Sequence, residues 1–327
     1  MGGKTRIHCT GILVVDALSG PLERYPVPRH QTQVVTRSVR FAAGGGAANT
    51  GSALAQMGLD VGVFSKVGAD PNGDFLLKEL GRCGVDTRGI CVAAGETTPF
   101  TFVGIHPDGD RTFIHTPGAN LTFSPSDVDR DAVLAADFLL YQDCWVLPSF
   151  DGQPAADLLS DARRAGLTTF VDECWGLGPR RDVLEVMLPY CDFFLPSVDD
   201  LATIFPGLGP EALARELLSM GAGCVVLKMG AAGSLVAEAR GGTCQAVPAL
   251  PAHVVDTTGA GDCWDAGFMA GLAAGMTPVD AARAGHACAA FCVEHVGGAA
   301  GIPPFASVLA RGGFGAVPQA GERDPAE

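Results

Sequence analysis

The chain has 327 residues, 47% of them hydrophobic and 18% charged, with a net charge of −14. That length can bury one large core with a small appendage, and the acidic balance argues against broad nucleic-acid binding, which needs clustered cations. No apolar run approaches a bilayer-spanning length and the first residues lack the basic-then-apolar pattern of a secretory signal, so a soluble cytoplasmic protein without a membrane partner is expected.

Eleven cysteines run from Cys9 to Cys292, an odd number with no C-x-x-C pair. Several lie inside apolar runs, as Cys191 and Cys224 do, and Cys288 and Cys292 share a helical face without a third ligand nearby. Reduced, mostly buried thiols are expected, not a disulfide framework or a metal site.

Along the chain, Arg6–Val15 reads as a strand and Val27–Arg40 as an extended, partly polar segment. Ala47–Met57 has helical spacing stopped by Gly58, Val61–Val67 is a strand, and Phe75–Cys83 is a helix closed by Gly84. Thr97–His115 holds two strand-like runs, Phe100–His106 and Arg111–His115, around the hairpin composition Pro107-Asp108-Gly109-Asp110. Ser126–Ala135 reads as helix, Asp137–Tyr141 as strand, Pro154–Ala165 as helix and Leu167–Asp172 as strand. Asp192–Leu195, Glu211–Met220 and Cys224–Lys228 continue the alternation.

Strand–helix alternation of this kind implies right-handed crossovers and a parallel sheet covered on both faces. The two segments that break the rhythm suit a small second sheet over the carboxyl edge of the first; the plainer reading is a pair of surface loops. The stretch from Arg311 to Glu327 is rich in Gly, Pro and charge, as a disordered tail is. The expected organisation is one domain over residues 1–310, with lid strands inserted at about 27–40 and 97–116, and a tail at 311–327.

The string Asp256-Thr257-Thr258-Gly259-Ala260-Gly261-Asp262 precedes a helical run, Cys263–Ala274. Glycines let a backbone approach a ligand closely, and the first amides of a helix lack intrahelical acceptors, which together suit a phosphate. A carboxylate at Asp262 would repel that anion as a ligand. It makes sense as the group that takes a proton from an incoming hydroxyl. The plainer alternative is an ordinary helix N-cap.

A second glycine string, Ala43-Gly44-Gly45-Gly46-Ala47-Ala48-Asn49-Thr50, again leads into a helix, and Asn49 offers both donors and an acceptor to hydroxyls. A dinucleotide fingerprint would need glycine at position 49, which argues against a dehydrogenase, and the chain has no lysine-containing P-loop.

Together, DTTGAGDCWDAGF and AGGGAANT resemble the two signatures of the ribokinase-like (PfkB) carbohydrate kinases, a likeness extending over about residues 6–305. It implies an α/β three-layer sandwich with a central, mostly parallel sheet and a small β-sheet lid. It also implies ATP-dependent phosphorylation of a small sugar-like hydroxyl compound, with Asp262 as base and the amides of Gly259, Ala260 and Gly261 as anion hole. Asp16, Gly44, Gly45 and Asn49 match the positions that hold the acceptor. Lys228-Met229-Gly230-Ala231-Ala232-Gly233 resembles the stretch along the nucleotide, which makes Lys228, Gly230 and Gly233 implied ATP contacts; a solvated lysine followed by a glycine hairpin is the alternative. Ala281–Val293 resembles the helix beside the adenine and puts His286 and Ala289 there, although a structural histidine fits His286 equally.

Two departures stand out. In place of the family's N-x-x-E motif for Mg²⁺ the chain has Ser197-Val198-Asp199-Asp200, leaving Asp200 to hold metal-bound water. Asp256 and the carbonyls of His295–Ile302 are the implied K⁺ site, with Gly301 where a serine is often found. Pairing of lid strands between chains, as in dimeric relatives, implies a homodimer.

For the acceptor, Gly46 stands where the sugar-phosphate branch carries a lysine, which favours a free sugar or weakly acidic sugar. LPSVDDL resembles a stretch of some 2-keto-3-deoxygluconate kinases, so Arg111 is a candidate for a sugar carboxylate. Gln142 and Asp143 are placed to face the acceptor. A nucleoside is the alternative acceptor. The competing class is a catalytically idle sugar-binding protein on a kinase scaffold.

Overall fold

A computed structural model describes residues 4–20, 35–106, 111–174, 178 and 180–315, with Arg111 described by its backbone alone. The strands are β1 (Arg6–Thr10), β2 (Val14–Gly20), β3 (Ser38–Gly44), β4 (Asp60–Gly68), β5 (Ile90–Ala93), β6 (Phe100–Ile105), β7 (Arg111–Thr116), β8 (Phe138–Cys144), β9 (Thr168–Glu173), β10 (Phe193–Phe194), β11 (Cys224–Lys228), β12 (Ser234–Glu238) and β13 (Cys244–Val247). The helices are α1 (Gly46–Gln56), α2 (Pro71–Arg82), α3 (Arg130–Val133), α4 (Gln153–Ala165), α5 (Arg181–Met187), α6 (Val198–Leu201), α7 (Pro210–Ser219), α8 (Ala260–Ala273), α9 (Pro278–Val293) and α10 (Phe305–Arg311).

Among the described residues, nine strands form the central sheet in the order β13-β12-β11-β10-β9-β8-β1-β4-β5. From β11 to β5 the pairings are parallel; β12 and β13 join antiparallel. Alternate side chains of the strands enter opposite cores. Leu140, Phe170 and Val226 pack on the side of α1 and α8, while Leu139, Val171 and Leu227 pack on the side of α4 and α7. These runs are apolar without a break because both faces are covered. The expected three layers are present.

The lid is a second sheet, β3-β2-β6-β7. Its pairings are antiparallel except for the central β2–β6 pair. One row crosses all four strands as Phe41–Ala17–Phe102–Ile114, and the neighbouring row, on the opposite face, as Ala42–Asp16–Thr101–His115. The period of two thus gives the lid an outer face bearing Phe41 and Ile114 and a cleft face bearing Asp16 and His115.

Four sequence expectations change. The single strand expected at Arg6–Val15 is two, β1 in the body and β2 in the lid, because residues 11–13 cross between sheets. Both strands are buried, so no break in hydrophobicity marks the crossing. The helix expected at Ser126–Ala135 is a 3₁₀ turn at Pro125–Asp127 and the short α3. The carboxylates of Asp127 and Asp129 take the local amides of Ser124 and Ala132 and divide the segment. The lid strand expected at 27–40 is β3, which runs on to Gly44; residues 21–34 lie outside the described residues, as does the turn at 107–110. Arg311, where the tail was expected to begin, ends α10 with its guanidinium on Glu294 and over Phe291; residues 316–327 are outside the described ones.

The described cysteines are free thiols, most of them buried. No helix among the described residues is long and apolar enough to cross a membrane.

Candidate active site

A cavity of about 1260 Å³ lies between the carboxyl ends of the central strands and the cleft face of the lid. The residues named at both glycine strings reach it: Asp16, Gly45 and Asn49 from one end of the chain, and Gly259, Ala260, Gly261 and Asp262 from the other.

Asp262 stands in the first turn of α8, whose N-cap is Gly259 in the left-handed region (φ 71). A side chain at 259 would also press on Gly298 Cα at 2.9 Å, so glycine is required on both counts. The first i to i−4 bond of α8 runs from Cys263 N to Gly259 O, and Ala260 N is drawn to Thr257 O. The open end of the helix therefore presents the amides of Gly261 and Asp262. Within the predicted anion hole, Ala260 is the member whose N–H has another acceptor.

The Asp262 carboxylate is held from both sides. Asn49 Nδ2 donates to Oδ2 at 2.8 Å, and Gln142 Nε2 donates to Oδ1 at 3.0 Å. Burial raises its pKa, the Asn49 bond and the Lys228 charge lower it, and the Asp172 charge raises it; the net direction is up. A carboxylate with a raised pKa is a stronger proton acceptor than a free one.

The N-terminal glycine string packs against two other carboxylates. A Cβ on Gly44 would lie 2.0 Å from Asp16 Oδ2, so the glycine is what allows the strand to close on that carboxylate. Asp16 receives a hydrogen bond from Thr101, and Thr101 Oγ1 in turn meets His115 Nδ1 at 2.9 Å. Burial, with smaller contributions from Asp256 and Asp262, pushes the Asp16 pKa up to about 6.

Asp143, expected to face the acceptor, borders the cavity but is engaged by the backbone. Its Oδ2 accepts from Ile12 N at 2.9 Å and its Oδ1 from Gly46 N at 3.2 Å. Ile12 lies on the crossing into the lid and Gly46 just past the return, so one carboxylate fastens both. Asp143 adopts a positive φ of 63, a strained backbone for a non-glycine residue. Trp145 is a core residue, its indole N–H donating to Arg180 O. The side chain of Arg111 lies outside the described residues.

Of the residues expected to contact the nucleotide, Gly230, Gly233, His286 and Ala289 line the cavity. His286 has both ring nitrogens engaged, by Ser234 Oγ at 2.9 Å and by Trp264 Nε1 at 3.2 Å, and burial lowers its pKa to about 4. It is a neutral structural histidine that also walls the cavity. Lys228 is turned inward, with Nζ at 3.0 Å from both Asp172 Oδ1 and Asp265 Oδ1. Burial alone would lower its pKa, but these two charges outweigh it and raise it.

Asp200 makes a hydrogen-bonding contact with Glu173, whose Oε1 accepts from Ser197 N while its buried Oε2 lacks a protein partner. Among the described residues no group of three or more His, Cys, Asp or Glu could hold a metal ion by itself. This donor set fits Mg²⁺ held chiefly by triphosphate oxygens and water, as is usual for that ion. Asp256 accepts from Thr258 N and Gly297 N and so braces the two loops below the helix start.

Sequence reasoning missed Thr101, His115, Asp172, Glu173 and Asp265. Asp172 and Glu173 carried a signal of the kind used for Asp16, acids closing an apolar strand; Asp265 stands one helical turn after Asp262.

A lidded cleft at the carboxyl edge of a parallel sheet, with a proton-accepting carboxylate at a helix start, is the equipment of a small-molecule phosphotransferase. The pattern of the pfkB family carbohydrate kinases matches residues 4–304, so the chain belongs to that family and is an ATP-dependent carbohydrate kinase. It is 31% identical over 261 residues to a fructoselysine 6-kinase of Shigella flexneri, covering 78% of this chain and 91% of that one. It is 28% identical over 293 residues to a nucleoside kinase of Methanothermobacter thermautotrophicus, covering 89% and 90%. The fold matches that of Arabidopsis thaliana ribokinase complexed with ribose and ATP, with a TM-score of 0.81, 24% identity, and coverage of 96% of this chain and 100% of that one.

Proposed function

We propose that the chain transfers the γ-phosphoryl group of ATP to a hydroxyl of a free sugar or sugar acid, with Asp262 as the base. The observation that carries this reading is the Asp262 carboxylate, held by Asn49 and Gln142 beside the open first turn of α8. The acceptor oxygen attacks the γ-phosphorus, the bond to the β,γ-bridging oxygen breaks, the hydroxyl proton goes to Asp262, and ADP leaves. Asp16 and Asn49 orient the acceptor, and the helix amides take the charge on the transferring group. Glu173 and Asp200 would hold Mg²⁺ through its waters, and the ion would neutralise part of the triphosphate charge.

An acceptor without its own phosphate is supported by the cavity lining: among its described residues Lys228 is the single Lys or Arg, and it faces the transfer end. A nucleoside acceptor is the second reading, since relatives include both sugar and nucleoside kinases. K⁺ beside Asp256 and a cytoplasmic location belong to the same proposal. So does a homodimer built on the outer face of the lid, where Val39, Phe41 and Ile114 are 56%, 55% and 57% exposed.

The test is ADP release over a panel of free sugars, sugar acids, sugar phosphates and nucleosides, with and without K⁺. Turnover confined to neutral or carboxylated sugars supports the first reading and turnover with ribosides the second. Measurable sugar binding with no turnover of any compound would mark an idle scaffold and sink both.

A further inference from the structure

We infer that Lys228 is the fixed cation of the phosphoryl-transfer step, positioned by Asp172 and Asp265, so that it acts on the transferring group and not as a contact along the nucleotide. The inference rests on the kinase reading above. Lys228 ends β11, yet its side chain is only 13% exposed and its ammonium lies 3.0 Å from one carboxylate on β9 and one on α8. A Cβ on Gly261 would be 3.5 Å from Nζ, which places the ammonium against the first turn of α8, where the open amides stand.

The charge inventory points the same way. Six carboxylates, those of Asp16, Asp143, Asp172, Glu173, Asp200 and Asp262, line the cavity with Lys228 as its single Lys or Arg among the described residues. A triphosphate entering such a cavity needs positive charge at the point of transfer, and Lys228 is the residue that can supply it without reorganising. Asp172 and Asp265 reach Nζ from two different elements, a strand of the sheet and the helix that carries Asp262. Both carboxylates therefore fix the direction of Nζ.

The groups around Lys228 and Asp262 are Asp172 and Glu173 from β9, Asp265 from α8 and Asp200 from α6, with Asp143 from β8 and Asp16 from the lid facing Asp262. The Lys228 charge favours the ionised form of Asp262 and the Asp172 charge opposes it.

The experiment compares wild type, Lys228→Met and the double variant Lys228→Met/Asp172→Asn by kcat, acceptor KM, MgATP calorimetry, Tm and the pH profile of kcat/KM. Lys228→Met is expected to lose about 10²–10³-fold in kcat, as for removal of one donor to a developing charge, while acceptor KM changes little. Its acid limb should move to higher pH. The double variant, relieved of one of the two uncompensated carboxylates, should recover part of the Tm and the wild-type limb but not kcat. Recovery of turnover in the double variant would show that Lys228 merely neutralises Asp172, and would overturn the inference. So would a Lys228→Met protein with kcat within about threefold of wild type. Both of these outcomes leave the kinase reading standing, whereas a wild-type chain that binds no MgATP removes the two together.

Discussion

Asn49 donates a hydrogen bond of 2.8 Å to Asp262, a residue 213 positions further along the chain. The contact joins the first turn of α1 to the first turn of α8, so the two glycine strings meet at one carboxylate. Thr50 strengthens the junction by donating to the Asp262 carbonyl at 3.2 Å and accepting from Gln142 at 2.8 Å.

Replacing Asp262 with asparagine keeps the shape and removes the proton acceptor. Turnover should fall about 10²–10⁴-fold, the range for losing a general base, with MgATP affinity retained. Steady-state kinetics decide it: near-normal kcat in this variant would assign the base elsewhere.

Asn49→Ala removes a hydrogen bond to a charged group, worth about 1.5–3 kcal/mol, so kcat/KM for the acceptor should drop roughly 10–100-fold. Because the Asn49 bond holds the Asp262 pKa down, its loss should also move the acid limb of the rate profile to higher pH. A variant with lower kcat/KM and an unmoved limb would separate Asn49 from the base.

Asp16, with its pKa pushed up to about 6, is ionised above that pH and protonated below it. In its proposed role, accepting hydrogen bonds from substrate hydroxyls, it works best ionised. Acceptor KM should therefore rise as the pH falls through about 6, and Asp16→Asn should show a high KM without that inflection. The measurement is KM against pH at saturating ATP.

Asp143→Ala would leave the amides of Ile12 and Gly46 without their buried acceptor. A loss of about 1–3 kcal/mol in stability for each such group is the usual scale, offset in part by relief of the positive φ only if glycine is used instead. Denaturant titration should show Asp143→Ala less stable than Asp143→Gly, and both with raised acceptor KM.

Phe41→Lys on the outer face of the lid should shift sedimentation from dimer to monomer at micromolar concentration. A wild-type chain that is already monomeric there would refute the lid-mediated pairing.

Much of this architecture was legible in the residues. Cys224–Lys228 was read with the bounds the fold shows, and α4 stops at Gly166 as its αL C-cap requires. The glycine strings were legible because a close backbone approach leaves a compositional mark. The acidic cluster was not, since Asp172, Asp265 and Lys228 come from three distant segments and nothing in the sequence says that they meet. Nor was the role of Asp143: a carboxylate bonded to two backbone amides looks, in sequence, the same as one reserved for a ligand. The crossing at residues 11–13 was hidden for a related reason, as both sheets it joins are buried and equally apolar.

The division between lid and body has an evolutionary corollary. The surfaces proposed to recognise the acceptor, at Asp16, Thr101 and His115, ride on short strands, whereas the proposed reaction centre at Asp262 and Lys228 is rooted in the helical and parallel layers beneath. Drift in β6 and β7 can therefore retune which molecule is accepted while the chemistry performed on it stays the same.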